Sequence, residues 1–460
     1  MSSCLCGEVR GKKMKLATIT FGCKVNQYET ACIADEFSKN GYSIVKYDEE
    51  ADVYIINSCT VTNRTDFKSR SALRKALKRK EENPKVQVVI TGCYSQRNKE
   101  EIEKLGDIDL IADNNSKSEI YKLLNHPETS QFDDILHYSD FEEMSTSAMN
   151  DRTRAFIKIQ DGCDYYCTYC AIPTARGHSR SRDKDKIISQ IQELVENGYK
   201  EFVLGGINLG LYGKDKNEEY FLSHLLLDLE EIEGLELLRL SSIEPQLFTE
   251  DLLEYFAESK KIAPHFHIPL QSGSNDILKK MKRKYSTEEF RISVENIRQI
   301  FPNAAFGFDV ITGFPGETAE LFTETYDFLE SIDFTYLHVF SYSKRKGTIA
   351  AELKDQISGD VIKRRTNILV ELSKRKLEEY TDKILLQKVQ LSGVIEKKTE
   401  KYSTALSDRF IRVYFESNSG IVGEYLKFKP IRMFKDGLEV KIDNPSVIRS
   451  GNVIPAKAGI

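Results

Sequence analysis

The chain has 460 residues, of which 40% are hydrophobic and 30% are charged, and its formal net charge at pH 7 is −5. This composition is typical of a globular protein of two to four domains and unlike that of disordered chains. No apolar run approaches the ~20 residues that a membrane span needs. The acidic balance provides no global positive field of the kind that favours DNA. Because the first residues lack the hydrophobic core of a signal peptide, we expect a cytoplasmic protein.

Residues 1–13 are predicted to be a disordered extension, so Cys4 and Cys6 within it are not counted as metal ligands. Residues 14–125 alternate short apolar runs with helical periodicity, which predicts an α/β fold with a doubly wound parallel sheet. The predicted strands are the runs LATITFG, VYIINSC, VQVVITGC and DLIAD. Residues 126–150 are polar and aperiodic and are predicted to be a linker.

Three cysteines of this first domain, Cys23, Cys59 and Cys93, each directly follow a predicted strand. The carboxyl ends of parallel strands meet at one edge of a sheet, where loops converge and ligands bind. We therefore expect these thiols, named the dispersed triad, to form one site. The alternative of three structural core cysteines predicts positions scattered along the strands. Cys32 has apolar neighbours in a predicted helix and is assigned to the core.

Residues 151–387 contain six strand–helix units and a long charged helix, which predicts a partial (β/α)6 barrel with its site at the C-terminal ends of the strands. Cys163, Cys167 and Cys170, named the tight triad, lie in the loop after the first of these strands. Cytoplasmic thiols are kept reduced, and the cysteine count of nine is odd. Metal ligation is therefore favoured over disulfide formation.

The C-x3-C-x2-C spacing of the tight triad is typical of a cluster of four irons and four sulfurs. Three thiolates hold three of the irons and leave the fourth iron open to a small molecule. The dispersed triad offers the same number of ligands, so two clusters are predicted. The alternative for the tight triad is a zinc knuckle, for which His178 is the available fourth ligand.

Residues 388–445 alternate apolar and polar residues between turn signals, which predicts a small β-barrel. Barrels of this size often bind oligonucleotides, but many unrelated barrels have the same appearance. Residues 446–460 are predicted to be a loose tail.

The tight triad resembles that of the radical S-adenosylmethionine superfamily, and residues 14–445 as a whole resemble its methylthiotransferase family. The resemblance is carried by the segments GCKVNQYE, INSCTVTNRTDFKSR, TGCYSQR, GCDYYCTYCAIPTARGHSRSR, RLSSIEP, PLQSGS, DVITGFPGET and YSKRKGT. It implies an N-terminal domain with an auxiliary cluster, a radical barrel, and a C-terminal TRAM barrel that holds RNA. It also implies that Gly205 and Gly206 contact the amino group of S-adenosylmethionine. Tyr169 is expected to pack beside the adenine of the same cofactor.

Within the family, CTVT at Cys59 and SSIEP at 241–245 resemble the branch that acts on N6-threonylcarbamoyladenosine at position 37 of tRNA. The resemblance implies that one S-adenosylmethionine methylates a sulfur at the dispersed triad. A second one is cleaved at the tight triad to a 5′-deoxyadenosyl radical, which starts the replacement of hydrogen at C2 of the adenine. The implied partners are the tRNA anticodon stem-loop and an electron donor such as flavodoxin or ferredoxin. Thr174 and Lys346 depart from the family pattern, which usually has an aromatic residue and a proline there.

Other functions stay open at this point. One is methylthiolation of isopentenyladenosine in tRNA or of an aspartate in a ribosomal protein. A more distant one is a non-catalytic iron–sulfur protein that binds RNA or senses redox state. Arg176, Arg180 and Arg182 are candidate contacts to RNA phosphates or bases, and the alternative for them is salt bridges with Asp183 and Asp185.

Several other polar residues receive structural expectations. Asn26 is placed to cap the first helix. His265 and His267 alternate on one predicted strand and share a face that points into the barrel or its core, and each is expected to be a satisfied core histidine. The basic run KKMKRK at 279–284 is expected to be a solvated face.

Overall fold

The structure is a computed structural model that describes residues 13–126, 129, 132–148, 153–216, 219–417 and 419–443. The predicted tail and all of the predicted extension except Lys13 lie outside these residues, as do Cys4 and Cys6. The described residues divide into two compact units, 13–60 with 64–134 and 61–63 with 135–443. No described helix combines the length and the apolar character that crossing a membrane requires.

The first unit is a parallel sheet with helices. Its strands are β1 (Lys15–Thr20), β2 (Ser43–Val45), β3 (Val53–Ser58), β4 (Gln87–Gly92) and β5 (Leu110–Ile111). Its helices are α1 (Lys24–Lys39), α2 (Asn63–Glu82), α3 (Cys93–Arg97), α4 (Lys99–Glu103) and α5 (Ile120–Asn125). The sheet order is β2-β1-β3-β4-β5, and all pairs are parallel. This order confirms the predicted doubly wound sheet and places its switch point between β1 and β3.

Burial explains the central position of β3. Every residue of this strand is buried, as expected for a parallel strand that is covered on both faces. On one face, α2 packs Leu73, Ala76 and Leu77 against the sheet at helical spacing. The short edge strand β2 was not predicted, because three half-buried residues carry little periodic signal.

The second unit contains eight strands before its long helix. They are β6 (Arg154–Lys158), β7 (Gln160–Asp161), β8 (Arg180–Ser181), β9 (Glu201–Gly205), β10 (Leu237–Leu240), β11 (His265–Gln271), β12 (Ala305–Thr312) and β13 (Tyr336–Ser341). β7 and β8 form a small antiparallel pair. The other six are parallel in the orders β6-β9-β10 and β11-β12-β13. Leu238 of β10 also forms a parallel bridge with Ile262, which precedes β11 in the chain. The predicted partial (β/α)6 barrel is confirmed.

Helices connect and follow these strands. They are α6 (Ile172–Arg176), α7 (Lys184–Glu196), α8 (Leu222–Glu230), α9 (Glu250–Glu258), α10 (Asn275–Lys280), α11 (Thr287–Ile300), α12 (Ala319–Ser331), α13 (Ile349–Glu352) and α14 (Gly359–Leu386). Among them, α9 and α11 cover the outside of the barrel. Phe266 of β11 packs on Phe256 of α9, with ring centroids 5.2 Å apart. Phe308 of β12 packs on Phe290 of α11 at 4.9 Å. Because strand side chains alternate between faces, the odd-numbered residues of β11 and β12 face the barrel interior, here called the lumen.

The last five strands form a closed barrel, as predicted for residues 388–445. They are β14 (Leu391–Lys398), β15 (Tyr402–Leu406), β16 (Arg412–Glu416), β17 (Tyr425–Phe434) and β18 (Gly437–Ile442), in the order β14-β15-β16-β18-β17. Val413, Phe428 and Leu438 fill its core, and Tyr380 and Ile384 from α14 pack against them. The long helix is therefore part of the core of this barrel.

The loop between β15 and β16 packs against the amino end of the partial barrel formed by β6 and β9–β13. Phe410 adopts a left-handed backbone with φ of 62° and stacks on His265 at 4.6 Å between ring centroids. Arg239 is 3% exposed and donates to the carbonyl oxygens of Ser407 at 2.7 Å and Asp408 at 3.0 Å. These contacts fix the C-terminal barrel against β10 and β11.

Candidate cluster sites and the barrel lumen

The dispersed triad lies at one edge of the first sheet. In β3 and β4, Ser58 pairs with Gly92 in register, so Cys59 and Cys93 each follow a paired position by one residue. Neighbouring strands are about 4.8 Å apart, which brings the two cysteine backbones close together. Cys23 is the N-cap residue of α1, after the adjacent strand β1. The shared edge is the one expected from the sequence.

A close backbone approach at Gly22 brings Cys23 to Cys59. Gly22 has φ of +98°, and a Cβ there would lie 2.7 Å from both Cβ and Sγ of Cys59. Only glycine adopts this backbone freely and leaves room for the neighbouring thiol. Two of the three cysteine loops are therefore in direct contact.

Asn26 connects the same two strand ends instead of capping α1. Its Nδ2 donates to the carbonyl oxygens of Phe21 at 2.9 Å and Ser58 at 3.0 Å. The residue is 1% exposed and lies in the first turn, whereas the N-cap residue is Cys23. The expected cap is therefore wrong, because the amide satisfies two buried carbonyl groups that the sequence does not reveal.

Replacing Gly22 with alanine is expected to disrupt the site of the dispersed triad, because the new Cβ collides with Cys59. Gly41→Ala is the matched control, since Gly41 has φ of +90° and no atom within 4 Å of a Cβ. Both variants carry the same left-handed strain, of about 1 kcal/mol. If each triad holds a four-iron cluster, iron analysis should show about four irons per chain in Gly22→Ala and about eight in Gly41→Ala. Equal iron in the two variants would contradict the role of this contact.

In the tight triad, each sulfur accepts one N–H hydrogen bond. The pairs are Tyr165 N to Cys163 at 3.4 Å, Ile172 N to Cys170 at 3.4 Å, and Arg283 Nη1 to Cys167 at 3.3 Å. Such bonds stabilise thiolates, which are the form that binds iron. The loop is therefore built for three metal-bound sulfurs.

Burial raises the pKa of the Cys163 thiol to about 11 and that of Cys170 to about 12. A buried thiolate needs a cationic partner in place of its proton, and iron provides one. A single zinc ion would hold sulfurs about 3.8 Å apart. Among the described residues, no three cysteine or histidine ligand atoms of this loop lie within 4.8 Å of one another. The sulfurs of this loop are therefore not arranged around a single zinc ion.

A buried network that the sequence analysis missed lies beside Cys167. Arg283 forms an ion pair with Glu244, and its Nε donates to Tyr285 Oη at 3.0 Å. Tyr285 Oη in turn donates to the carbonyl oxygen of Pro269 at 2.6 Å. The Arg283 side chain is 4% exposed, so the expected solvated face is wrong at this residue. The sequence feature that pointed to a buried partner for Arg283 was the acidic residue Glu244 in the otherwise uncharged segment SSIEP.

Arg283→Met is expected to destabilise the protein by about 3–5 kcal/mol, because Glu244 would stay buried without its cation. Burial already raises the pKa of Glu244, and Arg283 opposes that shift. The double variant Arg283→Met/Glu244→Gln should recover most of the loss, since it removes the unpaired charge. The thermal unfolding midpoint of the reconstituted protein measures both. A single variant as stable as the wild type would contradict this account.

The residues expected to bind S-adenosylmethionine lie at the carboxyl end of the barrel. Tyr169 is half-buried and meets Phe314 edge to face at 6.5 Å between centroids. Gly205 ends β9, and a Cβ on the following Gly206 would lie 2.9 Å from Gln160 Oε1. The fold thus excludes a side chain at Gly206, while cofactor contact by these three residues remains a prediction.

The three arginines expected to contact RNA are buried and have partners within the protein. Arg176 is 0% exposed and donates to both carboxylate oxygens of Asp161, at 2.9 and 3.0 Å. Arg180 donates to the carbonyl oxygen of Arg176 at 2.7 Å, and Arg182 to Glu143 Oε1 at 2.8 Å. Guanidinium groups held in this way are not available to phosphates, so the geometry does not support them as RNA contacts.

The salt bridges with Asp183 and Asp185 that were the alternative for those arginines are not among the contacts of the described residues. Asp183 caps α7, and its carboxylate accepts from the backbone N–H groups of Asp185 and Lys186. Glu143, the partner of Arg182, belongs to the predicted linker, in which Ile135 is 1% exposed. The described part of that linker therefore packs on its neighbours through both charge and apolar burial.

Three polar side chains converge in the lumen on neighbouring strands. His267 Nε2 lies 2.9 Å from Asp309 Oδ1, and His338 Nδ1 lies 3.3 Å from the same oxygen. His265 is 6% exposed, as expected for a core histidine, and its Nε2 lies 2.8 Å from Tyr336 Oη. His267 differs from His265, because its side chain is 16% exposed and it shares its partner Asp309 with His338.

Comparison with known proteins agrees with this architecture. Residues 15–113 match the uncharacterized protein family UPF0004, and residues 157–329 match the Radical SAM superfamily. Among solved structures, the radical S-adenosylmethionine methyltransferase TsrM from Kitasatospora setae has a TM-score of 0.56. That match is 13% identical and covers 74% of this chain and 77% of that one, so it supports the fold alone.

Curated relatives span nearly the whole chain. The threonylcarbamoyladenosine tRNA methylthiotransferase MtaB of Bacillus subtilis is 39% identical over 91% of this chain and 94% of that protein. The MtaB of Aquifex aeolicus is 42% identical over 80% and 90%. The tRNA-2-methylthio-N(6)-dimethylallyladenosine synthase of Natranaerobius thermophilus is 33% identical over 92% and 95%. The chain belongs to the radical S-adenosylmethionine methylthiotransferase family.

Proposed function

We propose that this protein converts N6-threonylcarbamoyladenosine at position 37 of tRNA to its 2-methylthio derivative. The observation that carries the proposal is the pair of cysteine triads, each at the carboxyl end of parallel strands, in a chain so similar to MtaB. Adenine C2–H is not acidic enough for a side chain to deprotonate, so the hard step requires a cofactor.

We propose one four-iron cluster at each triad. Cys163, Cys167 and Cys170 would hold the cluster that binds S-adenosylmethionine, and Cys23, Cys59 and Cys93 the auxiliary cluster. When bound, these groups supply the radical that removes the C2 hydrogen and the methylthio group that replaces it. The sulfur-directed N–H groups of the tight triad and the shared sheet edge of the dispersed triad support this assignment.

The chain's own residues orient and shield the reacting groups. Arg283 fixes the Cys167 sulfur and is held in place by Glu244 and Tyr285. Gly206 keeps the backbone open beside β9, and Tyr169 provides a half-buried ring within the loop of the tight triad. The lumen of the partial barrel would hold the reacting groups away from bulk water, which prevents loss of a reactive intermediate to solvent.

Binding of the tRNA is proposed for the C-terminal barrel. Tyr414 packs edge to face on Tyr402 and Phe434, each at 5.2 Å, and the Lys435 ammonium lies 3.8 Å from the Tyr402 ring. Aromatic rings beside a cation suit unstacked bases and phosphates. The radical reaction also needs a one-electron donor, for which we propose flavodoxin or ferredoxin in the cytoplasm.

Mass spectrometry of tRNA nucleosides from cells that lack the protein tests the function. We expect the 2-methylthio form of threonylcarbamoyladenosine to disappear and its unmethylthiolated precursor to accumulate, and a plasmid-borne copy to reverse both changes. The second candidate function is methylthiolation of dimethylallyladenosine in tRNA, which the similarity to the synthase of Natranaerobius thermophilus supports. Loss of the 2-methylthio dimethylallyl product instead would favour that function. Unchanged nucleosides would refute both.

A further inference from the structure

We propose that His267, Asp309 and His338 form the subsite that recognises the polar N6 substituent of the target adenosine. This inference rests on the proposed function and adds the side chains that choose among nucleosides. The substituent that it would accept carries a carboxylate, a hydroxyl and urea N–H groups.

The three residues lie on consecutive strands of the radical barrel. Asp309 on β12 pairs in register with His338 on β13. On its other side, Asp309 pairs with Pro269 of β11, which follows His267 by two residues. The outward positions of β11 and β12 hold phenylalanines packed on helices, so this group faces the lumen. The side chains are 16%, 19% and 48% exposed for His267, Asp309 and His338, which leaves them accessible from the lumen.

The group lies on the amino-terminal side of the hydrogen-bond network that supports the tight triad, as measured along β11. Pro269 accepts a hydrogen bond from Tyr285, which belongs to the network of Arg283 and Cys167. His267 is two residues before Pro269, or about 7 Å along β11. A nucleoside that extends from the cluster loop into the lumen would therefore meet this group with its far substituent.

The hydrogen bonds fix which atoms each ring offers to a ligand. Burial opposes ionisation of Asp309, but the hydrogen bonds from His267 and His338 outweigh it and hold the pKa of this carboxyl well below its usual range. A carboxylate only accepts, so His267 donates from Nε2 and His338 from Nδ1. Within the described residues, His267 Nδ1 and His338 Nε2 make no hydrogen bond.

These two nitrogens match the functional groups of the threonylcarbamoyl substituent. On a neutral ring, each accepts from a hydroxyl or a urea N–H, and on a protonated ring each donates to a carboxylate. A dimethylallyl group has no polar atom and would leave the two nitrogens and the carboxylate desolvated. Sites built to hydrogen-bond a substrate reject analogues that lack those groups by large factors.

The experiment compares two synthetic anticodon stem-loops that carry either threonylcarbamoyl- or dimethylallyladenosine at position 37. For each protein, kcat/KM for methylthio product is measured on both loops, and the ratio is the readout. We expect the wild type to prefer the threonylcarbamoyl loop. His338→Phe and His267→Phe should lower that ratio by about 100-fold, mainly through KM for the preferred loop. A general loss of stability would lower both rates and leave the ratio unchanged.

Two variants complete the design. His338→Gln keeps a polar group and should retain a ratio between those of His338→Phe and the wild type. His224→Phe, at an exposed histidine on α8, is the matched control and should keep the wild-type ratio. If His338→Phe folds poorly, as judged by circular dichroism and iron content, the ratio of His338→Gln decides, and an unchanged value overturns the inference.

The remaining outcomes separate the two proposals. A wild type that modifies the threonylcarbamoyl loop, with variants that keep its ratio, overturns the inference and leaves the proposed function intact. A wild type that modifies only the dimethylallyl loop overturns both. Two histidines and one carboxylate also suit a divalent metal ion. One equivalent of metal beyond the cluster iron, present in the wild type and absent from His338→Phe, would show a metal site and overturn the inference.

Discussion

Cys163→Ala is expected to abolish the release of 5′-deoxyadenosine from S-adenosylmethionine, down to the level of a blank without enzyme. Each of the three sulfurs of the tight triad is supported by its own N–H donor. With two thiolates left, the cluster loses its anchor. Chromatography of the nucleoside after anaerobic reconstitution with dithionite measures the effect.

Tyr166→Phe provides the control for this loop. Tyr166 is 52% exposed between the first two ligands, so the substitution removes a hydroxyl without touching the triad. It should keep the wild-type rate. Release that persists in Cys163→Ala would show that the cluster is held elsewhere. If the wild type itself releases no 5′-deoxyadenosine, the non-catalytic iron–sulfur alternative is favoured.

Cys59→Ala is expected to eliminate the methylthio product and to spare release of 5′-deoxyadenosine. The two triads belong to different compact units, so loss of one ligand in the first unit leaves the radical barrel intact. Cys59 is 3% exposed and touches the position of Gly22, which makes it the central ligand of the dispersed triad. Mass spectrometry of the stem-loop and chromatography of the nucleoside give the two readouts from one reaction.

Cys32→Ala is the control for Cys59→Ala. Cys32 is 5% exposed in α1, so both variants remove one buried thiol from the same unit, at a cost of about 1 kcal/mol. The control should keep its methylthio product. Product retained by Cys59→Ala would show that the dispersed triad does not supply the methylthio group.

The sequence predicted the positions of the cysteines because two local signals coincide there. Apolar runs such as VYIINSC and VQVVITGC mark buried strands, and each run ends at its cysteine. Parallel strands then bring those ends together without further information. The tight triad needed only its spacing. Both barrels were predictable for the same reason, since alternation and turn signals are local.

Long-range pairing of charges was not predictable. Arg283 lies in a basic run that is typical of a solvated helix end, yet it pairs with Glu244, 39 residues earlier. Arg182 and Glu143 are also 39 residues apart. His338 carried no signal because its role depends on Asp309 in the neighbouring strand. A pattern in one segment does not specify which buried carboxylate a distant segment provides.

The stacking of Phe410 on His265 has a consequence for truncated forms of the protein. Phe410 belongs to the C-terminal barrel but covers rings at the amino end of the radical barrel, including Tyr336 at 5.6 Å. Arg239 likewise finds its carbonyl partners beyond residue 400. The C-terminal barrel is therefore not an interchangeable attachment. In a chain truncated after α14, water would reach the lumen from the amino end of the strands. Loss of activity in such a fragment would therefore not by itself measure loss of RNA affinity.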